Sequence, residues 1–313
     1  MNSAPLNFIR GRKKRTDELP RQPKPEWLKV RAPGSENYLR LKGLMRGLGL
    51  HTVCEEANCP NIGECWHHGT ATFMILGNTC TRSCGYCNVV HGTPHAPDAE
   101  EPVRVASAIH ALALSYVVIT SVDRDDLPDF GAGHFARTIL QTRARIPGCR
   151  LEVLIPDFQG DEAALRIVLG ARPDVLNHNI ETVSRLYRTA RPGGRYQRAL
   201  DLLRRSREIA PAIPTKSGLM VGLGEERDEI VTTLRDLRAA GCQIVTIGQY
   251  LRPSIANLPM VRYYTPAEFA DLKRIALEIG FGHVESGPLV RSSYHAHEQT
   301  EAYETARATD LHG

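Results

Sequence analysis

Residues 54–87 hold six of the eight cysteines of this 313-residue chain as two triplets: Cys54, Cys59 and Cys65, then Cys80, Cys84 and Cys87. No other feature restricts the chain as tightly. Thiolates so near in sequence can converge on one inorganic centre, and soft thiolates select zinc, copper(I) or iron–sulfur clusters. Each triplet supplies one ligand fewer than a tetrahedral zinc site or a cubane cluster takes, so each leaves a corner to be filled from elsewhere. Disulfides are the competing use of clustered cysteines, and they belong to oxidising compartments. The N-terminus shows no secretory apolar core, so the chain reads as cytoplasmic and its clustered thiols as ligands. Cys149 and Cys242 stand alone and read as small buried residues.

The remaining composition serves mainly to exclude. No run of about 20 apolar residues is present to span a bilayer. The formal charge of +4 is modest, and much of it falls in Arg10, Arg12, Lys13, Lys14 and Arg15. Such a run can neutralise phosphates, yet no aromatic residue interleaves with it to stack on bases. Residues 1–36 therefore read as a basic, largely extended, solvated arm, with neither nucleic acid nor membrane as partner. Such an arm can also steer encounter with an acidic partner surface. Tyr38, Leu39, Leu41, Leu44, Met45 and Leu48 then recur at threes and fours, which predicts a short amphipathic helix between Asn37 and Leu50.

Beyond Trp66 the pattern becomes strand then helix, repeated. Short apolar runs at 71–76, 116–120, 151–155, 174–176, 217–221 and 244–247 predict strands. Helical periodicity is clearest at 161–169, 196–209, 226–240 and 266–279, and 283–285 offers a possible seventh strand. Six such units imply an α/β fold with a parallel sheet. Polar residues follow each strand: Thr120 to Asp126, Asp157, Asn177 to Glu181, Glu225 and Gln249. A barrel gathers strand ends at one mouth, where such folds carry catalysis. A partial (β/α)6 barrel of TIM type, or a complete one, is favoured over a doubly wound sheet, with N- and C-terminal extensions expected to close over the mouth. Gly222 and Gly224 lack the third glycine of a dinucleotide fingerprint and predict a tight turn instead.

The second triplet sits in the loop after the first of these strands, as Cys80-Thr-Arg-Ser-Cys84-Gly-Tyr-Cys87. A cubane held by three thiolates keeps one iron open to a small molecule. Here the sequence resembles the radical S-adenosylmethionine (SAM) superfamily, whose CxxxCxxC motif holds such a cluster. In that superfamily the methionine moiety of SAM chelates the open iron, and reduction yields a 5′-deoxyadenosyl radical. The resemblance gives Cys80, Cys84 and Cys87 that role and sets Tyr86 near the adenine. It makes Thr120, Ser121, Asp123, Asn179, Glu181 and Lys216 candidates for holding SAM. A structural zinc site is the alternative, but its fourth ligand has no obvious source nearby except His91.

The first triplet, Cys54-Glu-Glu-Ala-Asn-Cys59-Pro-Asn-Ile-Gly-Glu-Cys65-Trp66, refines the resemblance. Together with residues 25–30, 117–127, 152–158, 177–182, 215–225, 246–251 and 286–295, it is similar to the lipoyl synthase family. That resemblance implies an auxiliary [4Fe–4S] cluster on Cys54, Cys59 and Cys65, with a serine of the Arg291-Ser-Ser-Tyr294 string as fourth ligand. Ser293 is the choice over Ser292. It implies insertion of two sulfur atoms, at C6 and C8, into an octanoyl chain borne by a lipoyl carrier domain. The cofactors implied are two [4Fe–4S] clusters and SAM, and the partners a reducing electron donor and a cluster assembly or repair protein. The chain then divides into a 37–70 auxiliary-cluster segment, a 71–282 partial barrel and a 283–313 tail carrying the serine. Another radical SAM sulfur-inserting enzyme and an iron–sulfur electron-transfer protein remain as alternatives. Asn88 and His297 depart from the family's usual alanine and aspartate, and His178 and His295 read as structural.

Overall fold

The structure, a computed structural model, describes residues 23–30, 33–57, 59–67 and 72–310, with side chains as far as Thr305. Most of the expected 1–36 arm lies outside the described residues; within it, Glu26–Leu28 forms one 3-10 turn that buries Leu28. Helix α1 (Glu36–Gly47) starts where Ser35 accepts a hydrogen bond from the Tyr38 amide, and it buries Leu41 and Met45, as the periodicity requires. Strand β1 (His51–Thr52) and helices α2 (Val53–Glu56) and α3 (Ile62–His67) carry the first triplet. Strand β2 (Thr72–Ile75) is buried throughout. Two short strands, β3 (Thr79–Cys80) and β4 (Val90–His91), pair in parallel and bracket the second triplet.

Strands and helices then alternate: α4 (Glu101–Ala111), β5 (Tyr116–Ser121), α5 (Ala132–Arg145), β6 (Arg150–Leu154), α6 (Glu162–Gly170) and β7 (Val175–Asn177). Next come α7 (Ser184–Ala190), α8 (Tyr196–Ile209), β8 (Thr215–Val221), α9 (Arg227–Ala239), β9 (Ile244–Gln249), α10 (Pro266–Ile279), β10 (His283–Gly287) and α11 (Ala296–Asp310). The sheet runs β1-β2-β5-β6-β7-β8-β9-β10, parallel except for β1, which is antiparallel to β2. Its edge strands β1 and β10 do not pair, so the barrel is partial. Six β/α units supply the wall. Residues 283–287 extend it as a seventh parallel strand, in register with β9 over its whole length, so the sheet continues into the segment assigned to the tail.

Local chemistry fixes the ends. In α10, Thr265 and Glu268 form a reciprocal capping box, Pro266 opens the helix, and Gly280 at φ 99° ends it. The tail divides into two parts. Its first stretch crosses the mouth, where a Cβ on Gly248 would lie 2.1 Å from the Val290 carbonyl oxygen. Helix α11 instead engages the opposite end: Thr300 meets Tyr116, Tyr303 meets Gln243, and Glu304 meets Arg150, each at or just before a strand's start. It closes the bottom of the barrel. Among the described residues no helix is long and apolar enough to cross a membrane.

Candidate active site

The loop after β2 presents Cys80, Cys84 and Cys87 at the carboxyl end of the sheet. Burial pushes the Cys80 and Cys84 thiols up to about 12 and Cys87 to about 11, and each senses charge on another of the three. Amides of Arg82 and Asp123 point at Cys80 Sγ, at 3.4 and 3.3 Å. Three neighbouring thiols that resist ionising alone, one already approached by backbone donors, fit a cationic iron cluster that takes them as thiolates. The loop is held from across the barrel. Leu258 donates its amide to Gly85 O at 2.8 Å and Asn257 Nδ2 donates to Cys87 O at 2.7 Å, and a Cβ on Gly85 would meet Leu258 at 2.8 Å.

Polar side chains from successive strand ends face this loop. Ser121 Oγ and Asn179 Oδ1 are buried without a hydrogen-bond partner among the described residues, and Asp123 Oδ1, likewise without a hydrogen bond, stands 3.2 Å from Arg82 Nη1. Such orphaned groups fit a polar ligand that would complete them. Burial raises the pKa of Asp123 and of Glu181, and in both Arg191 opposes the rise. Glu181 sits at φ 67°, in the left-handed region, just where the chain leaves the sheet. Gly218 makes room for Asn179, because a Cβ there would lie 2.7 Å from Asn179 Oδ1. Tyr86, whose hydroxyl pKa rises through burial and then through the charge of Glu181, completes the group. His178 Nδ1 meets the Ile155 carbonyl at 2.8 Å, and burial drives its pKa down to about 4, so the ring is neutral.

The first triplet lies against the tail. Burial, then the charge of Cys59, pushes the Cys54 thiol up to about 12, and burial also raises Cys59, with Arg291 opposing the rise. Asn61 Nδ2 donates to the Leu289 carbonyl at 2.7 Å and Tyr294 OH donates to Glu64 Oε1 at 3.0 Å. These contacts set residues 289–294 beside the cysteines of α2 and α3. Asn179 Nδ2 donates to Ser292 Oγ at 3.3 Å, so Ser292 faces the barrel mouth. Ser293 Oγ makes no hydrogen bond among the described residues. Asn88, one of the two departures, donates to the Glu56 carbonyl at 3.1 Å and ties the two cysteine segments together.

Two expected ligand contacts are placed otherwise. Lys216 is fully buried in the second position of β8, with Nζ 3.0 Å from the Glu152 carboxylate, on the side of the barrel that α11 closes. The structure does not bring it to the mouth. Thr120 reaches the mouth end of β5 but donates its hydroxyl to the Leu154 carbonyl at 2.8 Å. Arg191 was not singled out by sequence reasoning, and it belongs to the group. It is buried, donates to the Asn179 carbonyl at 3.0 Å and the Tyr187 hydroxyl at 3.1 Å, and interacts with Tyr86, Glu181 and Asp123. Its only local signal is the Pro-Gly-Gly turn that follows it.

A family model described as the Radical SAM superfamily matches residues 74–237, and one described as the N-terminal domain of lipoyl synthase matches residues 3–59. The lipoyl synthase of Rubrobacter xylanophilus is 61% identical over 284 residues, covering 91% of this chain and 88% of that one. The chain belongs to the lipoyl synthase family. The lipoyl synthase of Koribacter versatilis is 60% identical over 280 residues, covering 90% of this chain and 92% of its own. Among solved structures, methylornithine synthase (PylB) superposes with a TM-score of 0.53 at 12% identity, covering 87% of this chain and 77% of that one. HydG, a maturase of the [FeFe]-hydrogenase, gives 0.52 at 16%, covering 82% of this chain and 56% of that one. These two share the fold. Membership of the radical SAM superfamily implies a [4Fe–4S] cluster and SAM.

Proposed function

We propose that this lipoyl synthase family protein inserts two sulfur atoms, at C6 and C8, into an octanoyl chain attached to a lipoyl carrier domain. Saturated C–H bonds carry no acidic proton and no leaving group, so acid–base residues cannot activate them. When bound, SAM and a cluster on Cys80, Cys84 and Cys87 supply a primary carbon radical. The chain's own residues bind, orient and shield. Asp123, Glu181 and Arg191 offer paired charges for the ammonium and carboxylate of SAM, and Ser121, Asn179 and Tyr86 offer neutral contacts. Cys54, Cys59, Cys65 and Ser293 would hold an auxiliary [4Fe–4S] cluster as the sulfur source.

The observation that carries this reading is the tail. Residues 289–294 touch the first triplet's segment through Asn61 and Glu64, and the barrel mouth through Asn179. One stretch of chain thus borders the first triplet's segment and the barrel mouth that the second triplet faces, in keeping with a radical site and a sulfur source acting on one alkyl chain. Ser292 is engaged by Asn179 while Ser293 keeps a free hydroxyl among the described residues, which favours Ser293 as the fourth ligand. Turnover also needs a one-electron donor and, because the sulfur source is consumed, a cluster assembly or repair protein.

Mass spectrometry of an octanoylated carrier peptide, after anaerobic incubation with loaded protein, SAM and reductant, tests the reading. Gain of two sulfur atoms is the expected product. Cys59→Ala should still cleave SAM and leave the peptide unthiolated. Thiolation by that variant would sink the sulfur-source assignment.

A further inference from the structure

The spacing of the second triplet constrains its cysteines and leaves residue 82 free, yet Arg82 is buried with its side chain only 3% exposed. Among the described residues no other cation meets three carboxylates. Nε and Nη2 grip Asp125 at 2.7 and 2.8 Å as a fork, Nη2 also reaches Asp157 Oδ1 at 2.6 Å, and Nη1 stands 3.2 Å from Asp123 Oδ1 as an ion pair without a hydrogen bond. Asp123 and Asp125 follow β5, whereas Asp157 follows β6 and takes Arg198 of α8 on its other oxygen at 3.2 Å. The Arg82 stem lies 3.5 Å from where a Cβ on Gly193 would be, in the turn that follows Arg191. One guanidinium therefore joins the cysteine loop to two strand ends and to the turn before α8.

Burying a guanidinium so fully is repaid only by good geometry to fixed partners. A planar fork can hydrogen-bond two carboxylates at set angles while its charge faces a third; a lysine ammonium is a point charge on a flexible stem and cannot. Burial works against the charge of Asp157, and the Arg82 hydrogen bond holds its carboxyl well below the usual range. Asp123, the remaining partner, is also one of the polar groups at the mouth.

We propose that Arg82 is a positioning residue that fixes the radical-forming cysteine loop at its working distance from Asp123 and the polar ends of β5 and β6. This rests on reading Cys80, Cys84 and Cys87 as ligands of the cluster that binds SAM. Removing the guanidinium acts through the loop and not by contact with SAM. A shift of roughly 1 Å between reacting groups lowers a rate about 100-fold.

The test uses cluster-loaded Arg82→Lys, Arg82→Gln and Arg82→Gln/Asp157→Asn proteins beside wild type. Iron content, the change in the reduced cluster's electron paramagnetic resonance spectrum on adding SAM, and the rate of 5′-deoxyadenosine formation are measured. Arg82→Lys should load iron as wild type does, respond to SAM only at about tenfold higher concentration, and cleave it about 100-fold more slowly. Arg82→Gln should also lose iron, and the added Asp157→Asn should restore iron without restoring the rate. Either of two results overturns the proposal: Arg82→Lys within about twofold of wild type in both SAM response and rate, or rates that fall in strict proportion to iron across the series, which marks a fold anchor only. A wild-type spectrum that ignores SAM would instead remove the cluster assignment on which the proposal stands.

Discussion

Replacing Lys216 by Met should weaken the fold and leave SAM binding intact. Neither Lys216 nor Glu152 has any exposed side-chain surface, and Nζ lies 3.0 Å from the carboxylate. Met keeps most of the stem's packing and deletes the charge. Breaking a buried pair by removing one partner costs about 3–5 kcal/mol. Here the low end applies, because Glu152 keeps hydrogen bonds from Tyr116 OH at 2.7 Å and Asn177 Nδ2 at 2.8 Å. A loss of about 3 kcal/mol at roughly 2 °C per kcal/mol for a chain of this size lowers Tm by about 6 °C. Removing both charges in Lys216→Met/Glu152→Gln should recover about 1–2 kcal/mol, since no lone buried charge remains. Thermal unfolding of the loaded protein under anaerobic conditions, beside a SAM titration on the same samples, reads both quantities. An unchanged Tm with SAM affinity reduced tenfold or more would refute the reasoning and return Lys216 to the SAM contacts.

The neutral His178 makes stability pH-dependent. Its pKa is about 4 in the fold against an ordinary 6.5, so the unfolded chain takes up the proton first. Its contribution is complete above pH 6.5 and is lost as pH falls toward 4, about 3 kcal/mol in all; denaturant melts of His178→Gln should show a correspondingly shallower acid slope. Gly248→Ala must displace the tail, because the new Cβ meets the Val290 carbonyl oxygen at 2.1 Å. A cost of about 1–3 kcal/mol follows, with proteolysis near residue 290 accelerated and thiolation lost before SAM cleavage. Ser293→Ala should abolish lipoyl product and lower iron at the first triplet only, while Ser292→Ala should retain iron at both; the reverse pattern would exchange the two serines.

What could be read from the sequence follows the range of the forces involved. Metal ligands on one loop must be near in sequence, so Cys80, Cys84 and Cys87 announce themselves. Strands buried on both faces show as apolar runs, and the six runs match β2 and β5 to β9 within two residues at either end. Height along a strand is a different matter. Lys216 stands one residue before the expected run 217–221, yet β8 starts at Thr215 and takes it in near the strand's start, and a period of two cannot say which end of a barrel a side chain serves. Helix α11 escaped for another reason. Its buried face is Ala296, Gln299, Thr300 and Tyr303, a helical spacing carried largely by polar residues that a search for apolar periodicity passes over. Arg191 and Arg82 look like ordinary surface cations until the fold surrounds them with carboxylates and hydroxyls from distant loops.

The same distinction bears on the two incomplete triplets. A fourth ligand taken from within the local loop would have made each segment a closed structural site, and His91, paired in register with Cys80, is the candidate the second segment holds among the described residues. The second triplet faces orphaned polar atoms of the barrel mouth, the arrangement that suits a diffusible chelator such as SAM. The first faces Leu289 to Tyr294, roughly 230 residues along the chain, through the Asn61 and Tyr294 hydrogen bonds. Closing so long a loop costs little more than closing a short one, because the entropy grows only with the logarithm of length. A ligand brought from that far is tied to its site by a handful of contacts and not by chain continuity. If the first triplet holds the consumable cluster proposed above, a serine brought from the tail could leave it while the seven parallel strands stay folded, as giving up that sulfur would require.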